Sequence, residues 1–417
     1  MRRPSAANVY YGLEFLLAMP TFLVVALYLV SDLNLSPLQL IVMGTVMEAA
    51  VFVFEVPTGV VADTYSRKLS LIIGFLGMGT TWLLVGVVAA PWAILVLWAV
   101  CGISYTFTSG AYQAWITDEV GVERVPHVFL RGARLAYAGA FFGLVLSVLL
   151  GTQSLRAAVV AGGALQIACA VACIFLMPET GFRRRPAAER AGALRELRTT
   201  ALNGGRFVRA RPVLLLLLAI AFFVGAASET YDRLKEAHFI RSIGLPTIGH
   251  LDAVVWFGGV VAASMLFGFF AVGMLQRRFE RKGVGRITRL LFVFTAVQAG
   301  AVFVFAVTGT AAVAIGALLT ASLGRQLVGP LWDIWVNQQI TDSSVRATVN
   351  SITGQADAVG QTAGGPVLGV VGNLFGTGVA IAGGALLLTP ALALFGRAMR
   401  HGGHEPELEE LPAPAPP

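Results

Sequence analysis

Phe54-Glu55-Val56-Pro57-Thr58-Gly59-Val60-Val61-Ala62-Asp63-Thr64-Tyr65-Ser66-Arg67-Lys68 ends one long apolar stretch and opens another. Residues 36–62 carry no charge except Glu48 and Glu55, and residues 69–90 carry none. A hydrocarbon core needs about 20 apolar residues per helix, and each flank is long enough. The stretch therefore reads as two membrane-spanning helices joined by a short turn that holds Asp63, Arg67 and Lys68. Acids inside such a span are costly, and they mark ion or substrate pathways.

The same pattern recurs along the chain. Twelve windows qualify: 8–31, 36–62, 69–90, 91–117, 128–151, 154–177, 212–236, 248–275, 286–308, 310–340, 345–372 and 377–399. The composition agrees, with 56% hydrophobic and 13% charged residues where a soluble domain carries about 25% charge. The fold class is an all-α membrane protein of twelve transmembrane helices in two pseudo-symmetric six-helix bundles. A membrane β-barrel would instead show alternating segments of about ten residues.

The net charge of +7 orients the chain rather than binding a polyanion, so no nucleic-acid partner is expected. With the N-terminus inside, the 30 Lys and Arg fall on the cytoplasmic side except Arg156, Arg233, Lys235, Arg241 and Arg325. That bias places both termini in the cytoplasm, with membrane lipids as the surrounding partner. Cys101, Cys169 and Cys173 lie in apolar spans and read as small hydrophobes. No cleavable signal peptide is expected.

The expected organisation is an N-terminal bundle over 1–178, a cytoplasmic linker over 179–211, a C-terminal bundle over 212–400 and a disordered tail over 401–417. The tail holds His401 and His404, for which a flexible tail is expected before a metal site. The bundles echo one another. Gly59, Asp63, Arg67 and Lys68 are matched by Gly273, Arg277, Arg281 and Lys282. Ala114-Trp115-Ile116 resembles Ile334-Trp335-Val336, and Gly139 with Gly143 parallels Gly360 with Gly364. Two structural repeats place a transported substrate at their interface.

On these residues the chain resembles the major facilitator superfamily. The family's turn between helices two and three runs roughly Gly-x-Leu-Ala-Asp-Arg-x-Gly-Arg-Arg/Lys, and Gly59, Ala62, Asp63, Arg67 and Lys68 match it while Thr64 and Ser66 depart. Phe54 to Gly59, Ser109 to Trp115, Asn337 to Ile340 and Val345 to Thr348 are similar to a bacterial branch that includes macrolide-efflux-type drug exporters. The fourth span lacks the Arg, and the fifth the Gly-Pro, of many drug/proton antiporters in that superfamily. The resemblance implies a multi-pass protein of the bacterial cell membrane that works by alternating access.

Glu48 and Glu55 are seven residues apart, about 20° from one another on one helix face. Together with Asp357 they are the proton-coupling candidates. Glu14, Tyr112, Gln113, Arg325, Trp332 and Asp333 are the substrate-cavity candidates, on spans that line the cavity by family analogy. Asp333 follows Arg325 by eight residues and is rotated about 80° from it, so the expected partner of Arg325 is Glu48, the acid at matching depth. Asp63, Arg67 and Lys68 are the gate or latch candidates, and the resemblance implies that they face the start of the eleventh span near Ser343 and Ser344. Trp115 and Trp335 read as interface anchors. Glu229, Asp232 and Arg233 read as a wet cluster at the outer end of span seven.

No phosphate-binding loop, zinc-protease pattern or nucleophile elbow is present in the sequence, so no cofactor and no enzymatic activity are expected. The function expected is proton-coupled export of lipophilic or amphiphilic small molecules. The alternatives are a dedicated metabolite carrier, for uptake or facilitated release without drug efflux, and a non-transporting membrane sensor.

Overall fold

The computed structural model describes residues 5–20, 22–182, 212–246, 251–282, 287–338 and 346–401, and among these no strand occurs. The expected disordered tail beyond residue 401, and the expected linker beyond residue 182, lie outside the described residues.

Helix α1 (Ala6–Leu17) and α2 (Phe22–Leu27, extended by a π turn over Tyr28–Asp32) together occupy the first apolar window. Helix α3 (Pro37–Thr64) starts on a capping box. Ser36 Oγ accepts from the Gln39 amide at 3.3 Å, while the Ser36 amide donates to Gln39 Oε1 at 2.8 Å. Pro37 follows at the first helical position, where its missing N–H costs nothing. Helix α4 (Arg67–Val85) is capped by Ser66, whose Oγ accepts from the Leu69 amide at 2.9 Å.

The fourth window is broken into α5 (Pro91–Thr106) and α6 (Ala111–Val120). Gly110 between them takes φ +69°, a conformation that glycine adopts without a Cβ penalty. Helices α7 (Val125–Gly151) and α8 (Leu155–Leu176) follow. The remaining elements are α9 (Pro212–His238, with a π turn over Phe239–Ile243), α10 (Ala253–Lys282), α11 (Ile287–Val307), α12 (Ala311–Gln338), α13 (Arg346–Phe375) and α14 (Thr377–His401).

Each of the twelve apolar windows contains helix among the described residues. Ten helical segments among the described residues are long and apolar enough to cross a membrane. The first window divides into shorter helices, and α13 falls outside that set.

The apolar core is arranged unevenly along the bundle. Toward the Pro37 end of α3 one core joins α1–α8 to α9–α14: Leu27, Tyr28, Leu35, Ile41 and Trp98 share it with Leu234, Phe239, Phe305 and Ile381. Toward the Arg67 end it divides in two. Leu71, Phe75, Trp115, Ile116 and Cys173 form one core, and Leu217, Leu291, Leu331, Trp335 and Phe395 form the other. The helix groups are thus fused at one end and separately packed at the other. Polar ties reinforce the fused end. Arg241, in the π turn after α9, donates to the carbonyls of Leu35 at 2.9 Å and Val30 at 2.8 Å. The Leu38 amide donates to Asn373 Oδ1 at 3.0 Å.

The glycine echo corresponds to equivalent close contacts. A Cβ on Gly139 would collide with the Phe15 carbonyl, and one on Gly143 with Met19, so α7 lies directly on α1 and the segment after it. A Cβ on Gly360 would collide with the Phe222 carbonyl, and one on Gly364 with Ala226, so α13 lies on α9 in the same way. Small residues let the backbones approach this closely.

The expected surface roles of two tryptophans are corrected. Trp115 is 1% exposed and Trp335 is 5% exposed, each inside its own core. Trp115 Nε1 donates to the Pro178 carbonyl at 2.7 Å, a satisfied buried donor rather than a headgroup anchor.

Candidate functional site

Helix α9 presents Glu229, Asp232, Arg233 and Glu236 at i, i+3, i+4 and i+7, which is one face of a helix. They do not form a wet cluster at a helix end. Glu229 is 2% and Glu236 4% exposed. The helix runs past the expected limit at residue 236, through His238 and the π turn to Ile243, and so carries these charges inside the bundle. Burial demands pairing. Glu229 Oε1 accepts from Arg233 Nε at 3.0 Å, and Glu236 Oε1 lies 3.1 Å from Lys235 Nζ.

Arg325 on α12 donates from both terminal nitrogens to the Asp232 carboxylate, at 2.7 and 2.9 Å. This bidentate pair is the strong form of the contact. Glu48 is therefore not the partner of Arg325. It lies within electrostatic reach of Arg233 and of Asp357 instead. Gly44, one helical turn before Glu48 on α3, has no room for a Cβ because Glu229 and Arg233 press against it. That contact brings the first helix group onto the charged face of α9.

Two cavities flank this ionic seam. An inner one of ≈ 540 Å³ is lined by α9, α11, α12, α13 and α14, and Arg325, Trp332, Asp333 and Asp357 stand in its wall. Asp357 Oδ2 accepts from Gln361 Nε2 at 2.8 Å. An outer one of ≈ 380 Å³ lies toward the fused end, between apolar side chains of α2, α3, α5, α7 and α10 and the charged face of α9. Asp232 lines the outer cavity and Arg325 the inner one, so their ion pair stands between the two.

The other candidates lie in the first helix group and line neither cavity. Glu14 is half-buried beside Tyr10, against Gly132 of α7. Tyr112 stacks on Trp115 with ring centroids 6.2 Å apart and packs against Tyr10 at 5.2 Å. Gln113 is exposed. Glu55 Oε1 accepts from Ser109 Oγ at 2.7 Å, a tie between α3 and the break that separates α5 from α6. Its Oε2 is buried and has no hydrogen-bond partner among the described residues.

The model of the Major Facilitator Superfamily matches residues 9–365. The chain belongs to the Major Facilitator Superfamily. It is a transporter and not an enzyme. A relative in Bacillus subtilis (strain 168), the uncharacterized MFS-type transporter YxaM, is 28% identical over 143 residues. That match covers 34% of this chain and 36% of the relative, so the chain spans about a third of the length of the curated relative it matches. The fold is similar to a mutant form of the nucleoside transporter NupG, with TM-score 0.75 and 13% identity over 94% of this chain and 98% of that one. It is also similar to an inward-facing, occupied bacterial homologue of the human lysosomal transporter Spinster, with TM-score 0.72 and 15% identity over 95% and 96% of the two chains.

The signature turn of this Major Facilitator chain is held within the first helix group. Arg67 pairs with Asp118 at the end of α6, and its other terminal nitrogen lies 4.0 Å from Asp63. Lys68 Nζ donates to the carbonyls of Ile174 at 2.9 Å and Met177 at 2.8 Å, closing the end of α8. Glu179 accepts from Ser66 Oγ at 2.7 Å and from the Lys68 amide at 2.9 Å, capping α4 with an anion. Ser343 and Ser344, the expected facing partners of Asp63, lie outside the described residues. Asp118, Glu179, Asp232 and Glu236 are additions to the expected site. The signal for the last two is the four-residue charged stripe on α9.

Proposed function

We propose that this transporter exports lipophilic or amphiphilic small molecules in exchange for protons, by alternating access, in the manner of the macrolide-efflux-type branch it resembles. Its place is the bacterial cell membrane, with twelve spans, both termini cytoplasmic, bundles over 1–178 and 212–400, and a cytoplasmic linker over 179–211 between them. The observation that carries the proposal is the acid-lined cavity of ≈ 540 Å³ beside a partly buried ionic seam. The seam sits where the fused core gives way to two separate ones.

A carrier needs two bundles that rock about a site between them. A core shared at one end and divided at the other leaves the Arg67 end free to open. The wall of the inner cavity is apolar around Trp332 and Phe395, with Arg325, Asp333 and Asp357 as its charged groups. An amphiphile fits such a wall better than a strongly polar solute. Asp357, within electrostatic reach of Glu48, is the first candidate to take and release a proton, Glu48 the second and Glu55 the third. Protonation removes a charge that the seam must otherwise balance, so it favours rearrangement of the pairs. The turn at Asp63, Arg67 and Lys68 acts as the latch that biases which side is open.

The test is flux in proteoliposomes that hold the purified chain, with a panel of amphiphilic dyes and antibiotics and an imposed proton gradient. Uptake that follows the gradient and collapses with a protonophore is expected, and Asp357→Asn is expected to abolish it. Flux of a polar metabolite that ignores the protonophore would establish the dedicated carrier instead. No flux of any compound would leave the sensor.

A further inference from the structure

Helix α11 is the most apolar of the helices among the described residues that are long enough to cross a membrane. Near its middle it carries an amide, Gln298, which the export cycle described above leaves unused. Val302, one turn further on, lies on the same helix face, and both residues line the inner cavity. Gly324 on α12 makes room for this placement, because a Cβ there would come within 3.0 Å of Gln298 Cβ. A polar group this deep in a span is costly unless it is hydrogen-bonded. Gln298 is half-buried, and its amide has no hydrogen-bond partner among the described residues and stays open to the cavity. Other polar groups of the same wall are engaged within the protein. Ser228 donates to the Gly225 carbonyl at 3.0 Å and Thr353 to the Val349 carbonyl at 2.8 Å. Arg325 is held by Asp232, and Asp357 accepts from Gln361. The Thr295 hydroxyl is buried and closed to the cavity. Asp333 and Asn350 are exposed and lie near helix ends, away from the mid-span position of Gln298.

We infer that Gln298 is the specificity-determining residue of the inner cavity, and that it selects neutral amphiphiles whose head is a primary carboxamide or a lactam. An amide side chain offers an N–H donor and a carbonyl acceptor side by side. A ligand amide with its own N–H and carbonyl on one edge meets both at once. An ester can only accept and an ammonium can only donate, so each leaves half of the Gln298 amide unpaired. The body of the ligand lies against Trp332, Phe395, Val302 and Leu388 of the same wall. Trp332 and Phe395 pack edge to face with ring centroids 6.3 Å apart, so the aromatic part of that wall is preformed. The inference rests on the exporter proposal and narrows its substrate class. It separates two tasks within one cavity: Asp357 takes the proton and Gln298 recognises the ligand, so the two do not compete for one carboxylate.

Three probes share a pyrene body and differ in the head: pyrenebutyramide is a primary amide, methyl pyrenebutyrate an ester and pyrenebutylamine an ammonium. Each is titrated into nanodiscs that hold the full chain, with empty nanodiscs subtracted, and binding is followed by energy transfer from tryptophan to pyrene. Saturable binding of the amide is expected, about tenfold tighter than that of the ester, as loss of paired neutral hydrogen bonds implies. Gln298→Met keeps the unbranched side chain and removes both polar atoms. It is expected to bring the amide down to the affinity of the ester and to leave the ester unchanged, which shows the cavity intact. Gln298→Leu is the second variant and should do the same. Both replace an unpaired amide by an apolar group in an apolar span, so neither should lower the melting temperature. A wild type that binds amide and ester alike would overturn the inference whatever the variants do. So would a preference that survives in either variant, or an amine that binds more tightly than the amide, which would make the carboxylates the selective groups. Proton-driven flux is measured separately. Flux without an amide preference removes this inference alone, and a Gln298-dependent preference without any flux removes the exporter proposal and keeps the site.

Discussion

Arg325 and Asp232 meet across two helices that are 93 residues apart in the chain, and their fork of 2.7 and 2.9 Å separates the inner cavity from the outer one. Neither residue is sealed off, since the side chains are 46% and 34% exposed to the spaces on either side. The pair is therefore worth less than a fully buried one, whose disruption costs about 3–5 kcal/mol, and more than a surface pair at up to about 1 kcal/mol.

Breaking this pair is expected to destabilise the chain by about 1–3 kcal/mol. Arg325→Ala leaves the Asp232 carboxylate without its main partner, and Asp232→Ala strands the guanidinium. A double-mutant cycle on thermal melting in detergent checks the coupling, and the double variant should melt above the sum of the two losses. Arg325→Lys should recover only part, because an ammonium does not reproduce the planar two-bond fork. Strict additivity of the two alanine variants would show that the residues do not act as a pair.

The paired glycines give a prediction about the repeat. Gly139 on α7 and Gly360 on α13 both lie against a backbone carbonyl, of Phe15 and Phe222 respectively. Backbone cannot give way as a flexible side chain can. Gly139→Val and Gly360→Val should each cost about 1–3 kcal/mol by overpacking, whereas Gly12→Ala, with open space at its Cβ, should be close to neutral apart from helix propensity. Melting temperatures of the three variants decide it. A neutral Gly360→Val would mean that α13 does not sit on α9 as closely as α7 sits on α1.

Most of the architecture is legible because membrane helices announce themselves by length and apolarity. The boundaries of α3 and α4 are set by local signals as well: Ser36 with Gln39, Pro37 at the first position, and Ser66 before Arg67. The glycine echo is legible because a repeat at matching places in two halves needs no partner to be seen. The ionic seam is only half legible. Arg325 reads as a cation needing an acid, but the identity of that acid depends on how α12 lies on α9, which no local pattern encodes. Asp232 and Glu229 read as wet because the seventh apolar window ends at residue 236, one element short of the π turn that finishes at Ile243. Their spacing on one helix face is the available clue. Trp115 and Trp335 mislead for a related reason. A tryptophan in a core and one at a headgroup have the same neighbours in sequence, and the carbonyl of Pro178 that satisfies Trp115 is 63 residues away.

At the Arg67 end, Glu179 should be a structural cap with a measurable share of stability. Its two oxygens take the Ser66 hydroxyl and the Lys68 amide. Neighbouring Glu119 takes the amides of Thr180 and Gly181, both at 2.6 Å. Together they fasten residues 179–181, just before the described part of the first helix group ends, to the signature turn and to the end of α6. Glu179→Ala removes an anionic cap and should cost about 0.5–2 kcal/mol, and it should speed cleavage of the chain after Arg183 and Arg184 by trypsin. Unchanged cleavage kinetics in Glu179→Ala combined with Glu119→Ala would show that these carboxylates do not restrain the segment.

Arg241 should control the fused end. Its guanidinium reaches from the turn after α9 to the carbonyls of Leu35 and Val30, which bracket the connection between α2 and α3. Those carbonyls lie beyond the reach of the helix ladders, so the cation satisfies acceptors that the backbone leaves open. With the Leu38–Asn373 bond it ties the two helix groups where the shared core ends. A carrier that alternates must break this tie whenever the Pro37 end opens, so the tie sets part of the free-energy difference between the two states. A ligand or mutation shifts such an equilibrium by its differential effect on the states, and by nothing else. Arg241→Ala removes two charge-assisted bonds from the closed state and none from a state in which the groups have parted. The population open at the Pro37 end should rise about tenfold or more, given about 1.5–3 kcal/mol for such bonds. A single cysteine at Ala26, which lines the outer cavity, reports it through the rate of labelling by a membrane-impermeant maleimide. In a background with Cys101, Cys169 and Cys173 replaced, labelling should be slow with Arg241 present and several-fold faster with alanine. Arg241→Lys should fall between, since one ammonium can reach either carbonyl but cannot fork to both. Equal labelling rates in all three would mean that the apolar core alone holds this end shut.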